Sequence, residues 1–214
     1  MFSLAEPVTQ RDLAVQRGVG KRTDDAAATV EATLSAVRTL IQRDGMIDFN
    51  IRELLALAGV SNRAFYRHFP TKEAVIAAIV EEVYGTMVRS LAEAVAGTDD
   101  PEAQLVAWID EALRYAHDPG HRTPGRVFAA YEARLRDEHP EVYRASGRAL
   151  VAQVRSILAA GAAHGVFAAD PTSARAKLVV RLVVATLQHH VIERSTPSVQ
   201  ERDALVAFVA GACR

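Results

Sequence analysis

Residues 45–72 read Gly45-Met-Ile-Asp-Phe-Asn50-Ile-Arg52-Glu53-Leu54-Leu55-Ala-Leu57-Ala58-Gly59-Val60-Ser61-Asn62-Arg63-Ala-Phe65-Tyr66-Arg67-His68-Phe69-Pro70-Thr71-Lys72. This stretch decides the fold. Asn50 is a helix N-cap, and Glu53 stands where its side chain can bond back to the cap's own N–H. Ile51, Leu54, Leu55 and Ala58 follow at helical spacing. Gly59 supplies the left-handed residue that ends this helix. Val60 tucks between two helices, and Ser61 caps the second. Pro70 disfavours helix at Phe69, so the second helix is short. Thr71 caps a third. Two short helices joined by a Gly-containing turn make a helix-turn-helix.

The cations sit against the helix dipoles. Arg52, Arg63 and Lys72 each fall in the first turn of one of three consecutive helices. A cation at that end is unfavourable by roughly 0.3–1 kcal/mol. An external anion repays this, because helix N-terminal N–H groups and cations converge on phosphate. Tyr66, Arg67 and His68 add donors on the short helix that reach phosphates. Any one of these residues alone reads as a solvated side chain. Their convergence points to a nucleic-acid face.

The run Ala58-Gly-Val-Ser-Asn-Arg-Ala-Phe-Tyr-Arg-His-Phe-Pro-Thr-Lys-Glu73 resembles the DNA-binding signature of TetR-family transcriptional regulators. The similarity extends back through Leu34, Ala36, Leu40, Ile41 and Gly45. Leu55 stands where the family usually has a small alanine, and Leu57 where it is usually polar. The resemblance implies an all-α chain: an N-terminal three-helix DNA-binding domain, then a helical effector-binding and dimerisation domain. It implies a ligand-responsive regulator, most often a repressor, released from a palindromic operator by a small molecule.

Composition sets the limits. The chain has 214 residues, half of them hydrophobic, so it can bury one large core or two small ones. Its 25 basic and 26 acidic residues give a net charge of −1, so DNA binding must come from a local basic face. The single cysteine, Cys213, excludes a disulfide framework or a zinc cluster and fits a reducing cytoplasm. The best apolar run, Leu178 to Leu187, is interrupted by Arg181 and is too short to span a bilayer. No signal peptide, cofactor motif or metal motif is recognisable.

About nine helices are expected, in three parts. Residues 1–23 read as a flexible basic arm with Arg11, Arg17, Lys21 and Arg22. Such an arm enters a minor groove or is a tail without a role. The DNA-binding domain spans 24–70. Its first helix buries Val30, Leu34, Val37, Leu40 and Ile41 and ends at Gly45. The domain at 71–214 opens with a long helix from Thr71 to about Ala96. Asp100-Pro101 and Asp170-Pro171 each open a helix as cap plus first-turn proline. Between them, His117 to Gly125 reads as a polar loop, followed by helices over about 126–138 and 140–164. Gly147 in the latter permits close packing or a bend. Ser198 and Glu201 form a capping box for the last helix, with the stripe Leu205, Val206, Phe208 and Val209. The eighth and ninth helices are too apolar to bury their faces in one small body, so a homodimer is expected to pair them with their mates.

The candidate site residues fall in two sets. Asn62, Arg63 and Arg67 are candidates for base edges, with Ser61 as the cap. Arg52 reaches either a base or a phosphate. Asn50, Tyr66, His68 and Lys72 are assigned to phosphates. In the body, Met87, Trp108, Tyr115, Phe128, Tyr131, Phe167 and His189 are the groups that can line an effector pocket. Small Ala and Val residues around them leave room for a bulky, largely apolar ligand. Arg181, a cation inside an apolar run, needs a ligand anion, an acidic partner or a route to solvent. A metal-responsive version of the same module would draw on His117, His121, His139, His164, His189 and His190. Pro119 and Gly120 break the first pair's helix, and adjacent histidines diverge by about 100°. A helical enzyme is the remaining alternative, with no nucleophile, phosphate-loop or metalloprotease motif to support it.

Overall fold

The computed structural model describes residues 9–17, 23–44, 49–138, 140–169 and 173–214. Among these the fold is all-α: α1 (Gln10–Arg17), α2 (Thr23–Asp44), α3 (Ile51–Ala58), α4 (Asn62–His68), α5 (Lys72–Val95), α6 (Pro101–His117), α7 (Arg122–Glu138), α8 (Pro140–Ala163), α9 (Ser173–Glu193) and α10 (Val199–Cys213). No helix among the described residues is long and apolar enough to cross a membrane. Lys21, Arg22, Gly45, His139 and the Asp170-Pro171 cap lie outside the described residues. The chain divides into two compact units between Glu82 and Val83, inside α5 rather than at residue 70.

The first unit is built on α2. Its residues Val30, Leu34, Val37, Leu40 and Ile41 are buried, as their helical spacing predicts. α2 packs against α1, α3 and α4. Phe49, Leu54, Phe65, Phe69, Val75 and Ile79 complete this core.

The expected flexible arm is corrected over Gln10–Arg17, which forms α1. Ala14 is buried there, and the helix packs on α2 and α4. The backbone N–H of Gln10 donates to the Glu81 carboxylate at 2.6 Å, and Arg11 pairs with Glu31 at 2.7 Å. Arg11 is therefore committed inside the unit.

The second unit is built on α6. The Asp100 carboxylate accepts from the N–H groups of Glu102 and Ala103, and Pro101 takes the first turn. Leu105, Trp108, Ile109 and Ala112 are buried, and α6 packs against α7, α8, α9 and α10. α7 begins at Arg122, earlier than the expected Arg126. Pro124 does not prevent this, because N–H groups in the first turn have no intrahelical acceptor. Gly147 needs no special explanation, since an added Cβ there would meet nothing within 4 Å.

In α9, Ala176, Val179, Val180, Val183 and Leu187 are buried, whereas Leu178 and Ile192 are 63% and 70% exposed. The Ser198–Glu201 capping box forms in full. In α10, Leu205 and Val209 face the core, but Phe208, expected in the same stripe, is 67% exposed. Arg202 donates to both oxygens of Asp110, at 2.7 and 2.6 Å, and ties α10 to α6.

One close approach fixes the corner between α6 and α7. A Cβ added to Gly125 would lie 2.0 Å from the Tyr115 carbonyl oxygen, so only glycine fits. Gly125→Ala should lower stability by about 1–3 kcal/mol, because backbone rather than a flexible side chain must move. Equilibrium denaturation of the variant beside the wild type measures this.

Candidate nucleic-acid interface

The turn residues act locally as their chemistry dictates. Gly59 takes φ 64°, and its N–H donates to the Leu55 carbonyl, which ends α3. The Ser61 hydroxyl accepts from the Ala64 N–H at 3.2 Å and starts α4. The Asn50 side chain accepts from the Arg52 N–H at 2.8 Å. The Thr71 hydroxyl accepts from the Ala74 N–H at 3.2 Å and caps α5. The expected reciprocal bond from Glu53 to the Asn50 N–H gives way to an ion pair. Glu53 turns to Arg43 at 2.7 Å, where a charged partner outcompetes a backbone donor.

α4 sorts its residues by period. Phe65, His68 and Phe69 lie three and four apart and are all buried. Asn62, Arg63, Tyr66 and Arg67 fall on the opposite stripe and are exposed, as are Asn50, Arg52 and Ser61. Tyr66 stands edge-on to Phe65, with ring centroids 5.1 Å apart. Lys72 is half-buried, its ammonium 4.8 Å from the centroid of the Phe49 ring.

His68 was assigned to phosphate, and that assignment is corrected. It is 2% exposed, and its Nδ1–H donates to the Ala14 carbonyl at 3.0 Å. Its place at i+3 from Phe65 already marks the inward stripe. Its partner on α1 has no signal in the local sequence.

Charge pairing separates the arginines of this unit into two groups. Arg38 pairs with Glu31 and Glu82, and Arg43 with Asp44 and Glu53. The bonds to Asp44 first, then Glu53, hold the Arg43 guanidinium well above its usual range. Arg52, Arg63 and Arg67 have no carboxylate partner among the described residues. Arg17 on α1 likewise has none, so the arginines without a carboxylate among the described residues are Arg17 and the three on the helix-turn-helix.

In the second unit the expected effector residues scatter. Met87, Trp108, Tyr115 and Phe167 are core residues. The Trp108 indole N–H donates to Gln153 at 3.0 Å, the Tyr115 hydroxyl lies 2.9 Å from that of Ser90, and Phe167 packs on Gly161. Tyr131 is half-buried and His189 exposed; the side chain of Phe128 lies outside those described. A groove of about 830 Å³ lies between α8 and α9, and of the expected residues only Arg181 lines it. The sequence reading missed its other cations, although Arg144, Arg148 and Arg155 repeat at spacings of four and seven. Among the histidines, His117 Nδ1 bonds the Leu113 carbonyl. His121 sits 3.0 Å from Asp118, and His190 Nδ1 lies 2.8 Å from the Ser195 hydroxyl.

A helix-turn-helix with an outward cationic stripe, continued through α5 into an α-helical body, defines the class: a helical transcription regulator. Residues 34–79 match the family model of the bacterial regulatory proteins of the tetR family, so that this part of the chain is similar to that family's DNA-binding domain. It is 26% identical over 167 residues to the HTH-type transcriptional repressor NicS of Pseudomonas putida, covering 77% of each chain. Its fold resembles E. coli NemR in reduced form, with TM-score 0.65, 21% identity, and 87% and 97% of the two chains covered. It also resembles RolR in complex with resorcinol, with TM-score 0.65, 18% identity, and 90% of each chain covered.

The burial of His68 separates fold from contact. His68→Ala should cost about 1–3 kcal/mol of stability through the abandoned Ala14 carbonyl and the void left behind. At a temperature where the variant stays folded, the salt dependence of its DNA affinity should match wild type. A flatter slope would return His68 to the phosphate-binding set.

Proposed function

We propose that this chain is a ligand-responsive, sequence-specific DNA-binding regulator that acts as a repressor on a palindromic operator. The observation that carries the reading is the outward stripe of α4, with Arg63 and Arg67 unpaired beside Asn62 and Tyr66. α4 enters the major groove. Asn62, Arg63 and Arg67 read base edges, Arg63 by a two-point bond to guanine worth about 1–3 kcal/mol of discrimination. Asn50, Tyr66 and Lys72 hold phosphates and set register, while Arg52 takes a base or a phosphate. Repression is supported by the likeness to NicS, and a small-molecule effector by the likeness to RolR with resorcinol. The protein works in the cytoplasm, where its operator is.

The functional unit is a homodimer through α9 and α10. Leu178, Ile192, Val199 and Phe208 are 63–76% exposed on these two helices, an apolar surface that a second copy would cover. Two-fold symmetry then sets operator half-sites about 34–36 Å apart, or a multiple of that. An effector acts by binding the operator-incompetent state more tightly, since only differential affinity moves the equilibrium.

Selection of the protein on random duplex DNA should return one inverted repeat. Enrichment of no sequence, or of an asymmetric one, would refute the dimeric reader. Against the selected site, Arg63→Ala should relax preference at one position of each half-site. Lys72→Ala should weaken all sequences alike and reduce the salt slope by about one. Phe208→Glu should convert the dimer to monomer in sedimentation equilibrium, and an unchanged dimer would move the interface elsewhere.

A further inference from the structure

We infer that the groove between α8 and α9 is a binding site for an anionic amphiphile: a small molecule with an apolar body and a carboxylate or phosphate head. The inference deepens the sensor reading above and rests on it for its regulatory meaning. The binding itself is independent of DNA.

The groove encloses about 830 Å³, within the range of sites that take drug-sized ligands. Leu150, Val151, Val180 and Val184 give it an apolar floor. Its walls carry Arg144, Arg148 and Arg155 from α8, and Lys177 and Arg181 from α9. Among the described residues no aspartate or glutamate lines it. In a chain with 26 acidic and 25 basic residues, five cations and no described acid around one groove is a separation of charge.

That separation works against the helices themselves. Arg144 and Arg148 are four apart on α8, as are Lys177 and Arg181 on α9, and like charges at that spacing repel. The two ladders also face each other across the groove. Arg144 has an outlet in Glu141, at 2.6 Å. Arg148, Arg155, Lys177 and Arg181 have no carboxylate partner among the described residues. Arg181 thus finds no internal acid; it is exposed, with its head at the groove wall. An anionic head would relieve the repulsion along both helices while its apolar body covers the valines beneath.

The site is distinct from the proposed dimer face. Lys177, Val180, Arg181, Val184 and Gln188 recur at spacings of three and four and form one stripe of α9. From the centre of that stripe Leu178 lies about 100° and Ile192 about 60° round the helix. A ligand in the groove and a partner on the exposed apolar stripe can therefore be held by one helix at once.

Calorimetric titration of the full-length protein with octyl phosphate, octanoate, octanol and inorganic phosphate tests the assignment. Both anionic amphiphiles should bind at least tenfold more tightly than octanol or inorganic phosphate, and binding should weaken with added salt. The double variant Arg148→Glu, Lys177→Glu should lose at least tenfold of that affinity. Arg148→Ala, Lys177→Ala should lose less. Both residues are exposed, so thermal melting should show folded protein, and ligand-free operator binding should match wild type. Equal binding of octanol, equal binding of inorganic phosphate, or unchanged affinity in the charge-reversed variant would each overturn the inference. So would a change of oligomeric state with anion affinity retained, which would make the groove a subunit contact. Failure of the wild type to select an operator would count against the regulator reading and leave this one standing.

Discussion

Phe65 and Phe69 constrain everything that α4 presents. A seven-residue helix is too short to be stable by itself, and these two rings hold it against the first unit. Their centroids lie 5.7 Å apart, with the His68 ring on the same buried side. Once residues 65, 68 and 69 face inward, the helical period leaves residues 62, 63, 66 and 67 no direction but outward. The reading face follows geometrically from the hydrophobic anchor. Its orientation is then locked from behind by the bond from His68 to the Ala14 carbonyl.

Charge placement follows a second rule. A net charge of −1 describes neither the head nor the groove. In the head, Arg11, Arg38 and Arg43, which stand away from the reading face, have carboxylate partners, while Arg17 has none among the described residues. Arg52, Arg63 and Arg67 are left without one. In the body, Arg202 is tied to Asp110 and Arg114 to Glu111, whereas Arg148, Arg155, Lys177 and Arg181 are not paired. Exposed pairs contribute little to stability, so pairing alone does not explain the pattern. Among the described residues it leaves positive potential on the outward stripe of α4 and along the groove over valines, as well as at Arg122, Arg126 and Arg194 beside His117.

The large apolar residues of the body serve two purposes equally well. Trp108, Tyr115 and Phe167 are large and apolar, features that suit a ligand pocket and a core equally. In this unit they are buried, and Trp108 and Tyr115 lie on α6, which packs among four other helices. A groove lies between α8 and α9, lined by exposed cationic side chains.

What the amino-acid order determined by itself is local. The Gly59 turn, the Ser61 and Ser198 caps, the Asp100-Pro101 start and the stripe of α2 depend on residues within a few positions of one another, and all formed as read. The helix-turn-helix signature and the direction of Arg63 and Arg67 belong to the same class. Only the tertiary structure decided the pairings across distance. These include α1 docking through Ala14 onto His68, Glu53 leaving its cap for Arg43, and two arginine-bearing helices meeting to form a groove. Each is a choice among competing partners far apart in the chain, and the balance of burial and charge that settles it exists only once the helices have packed.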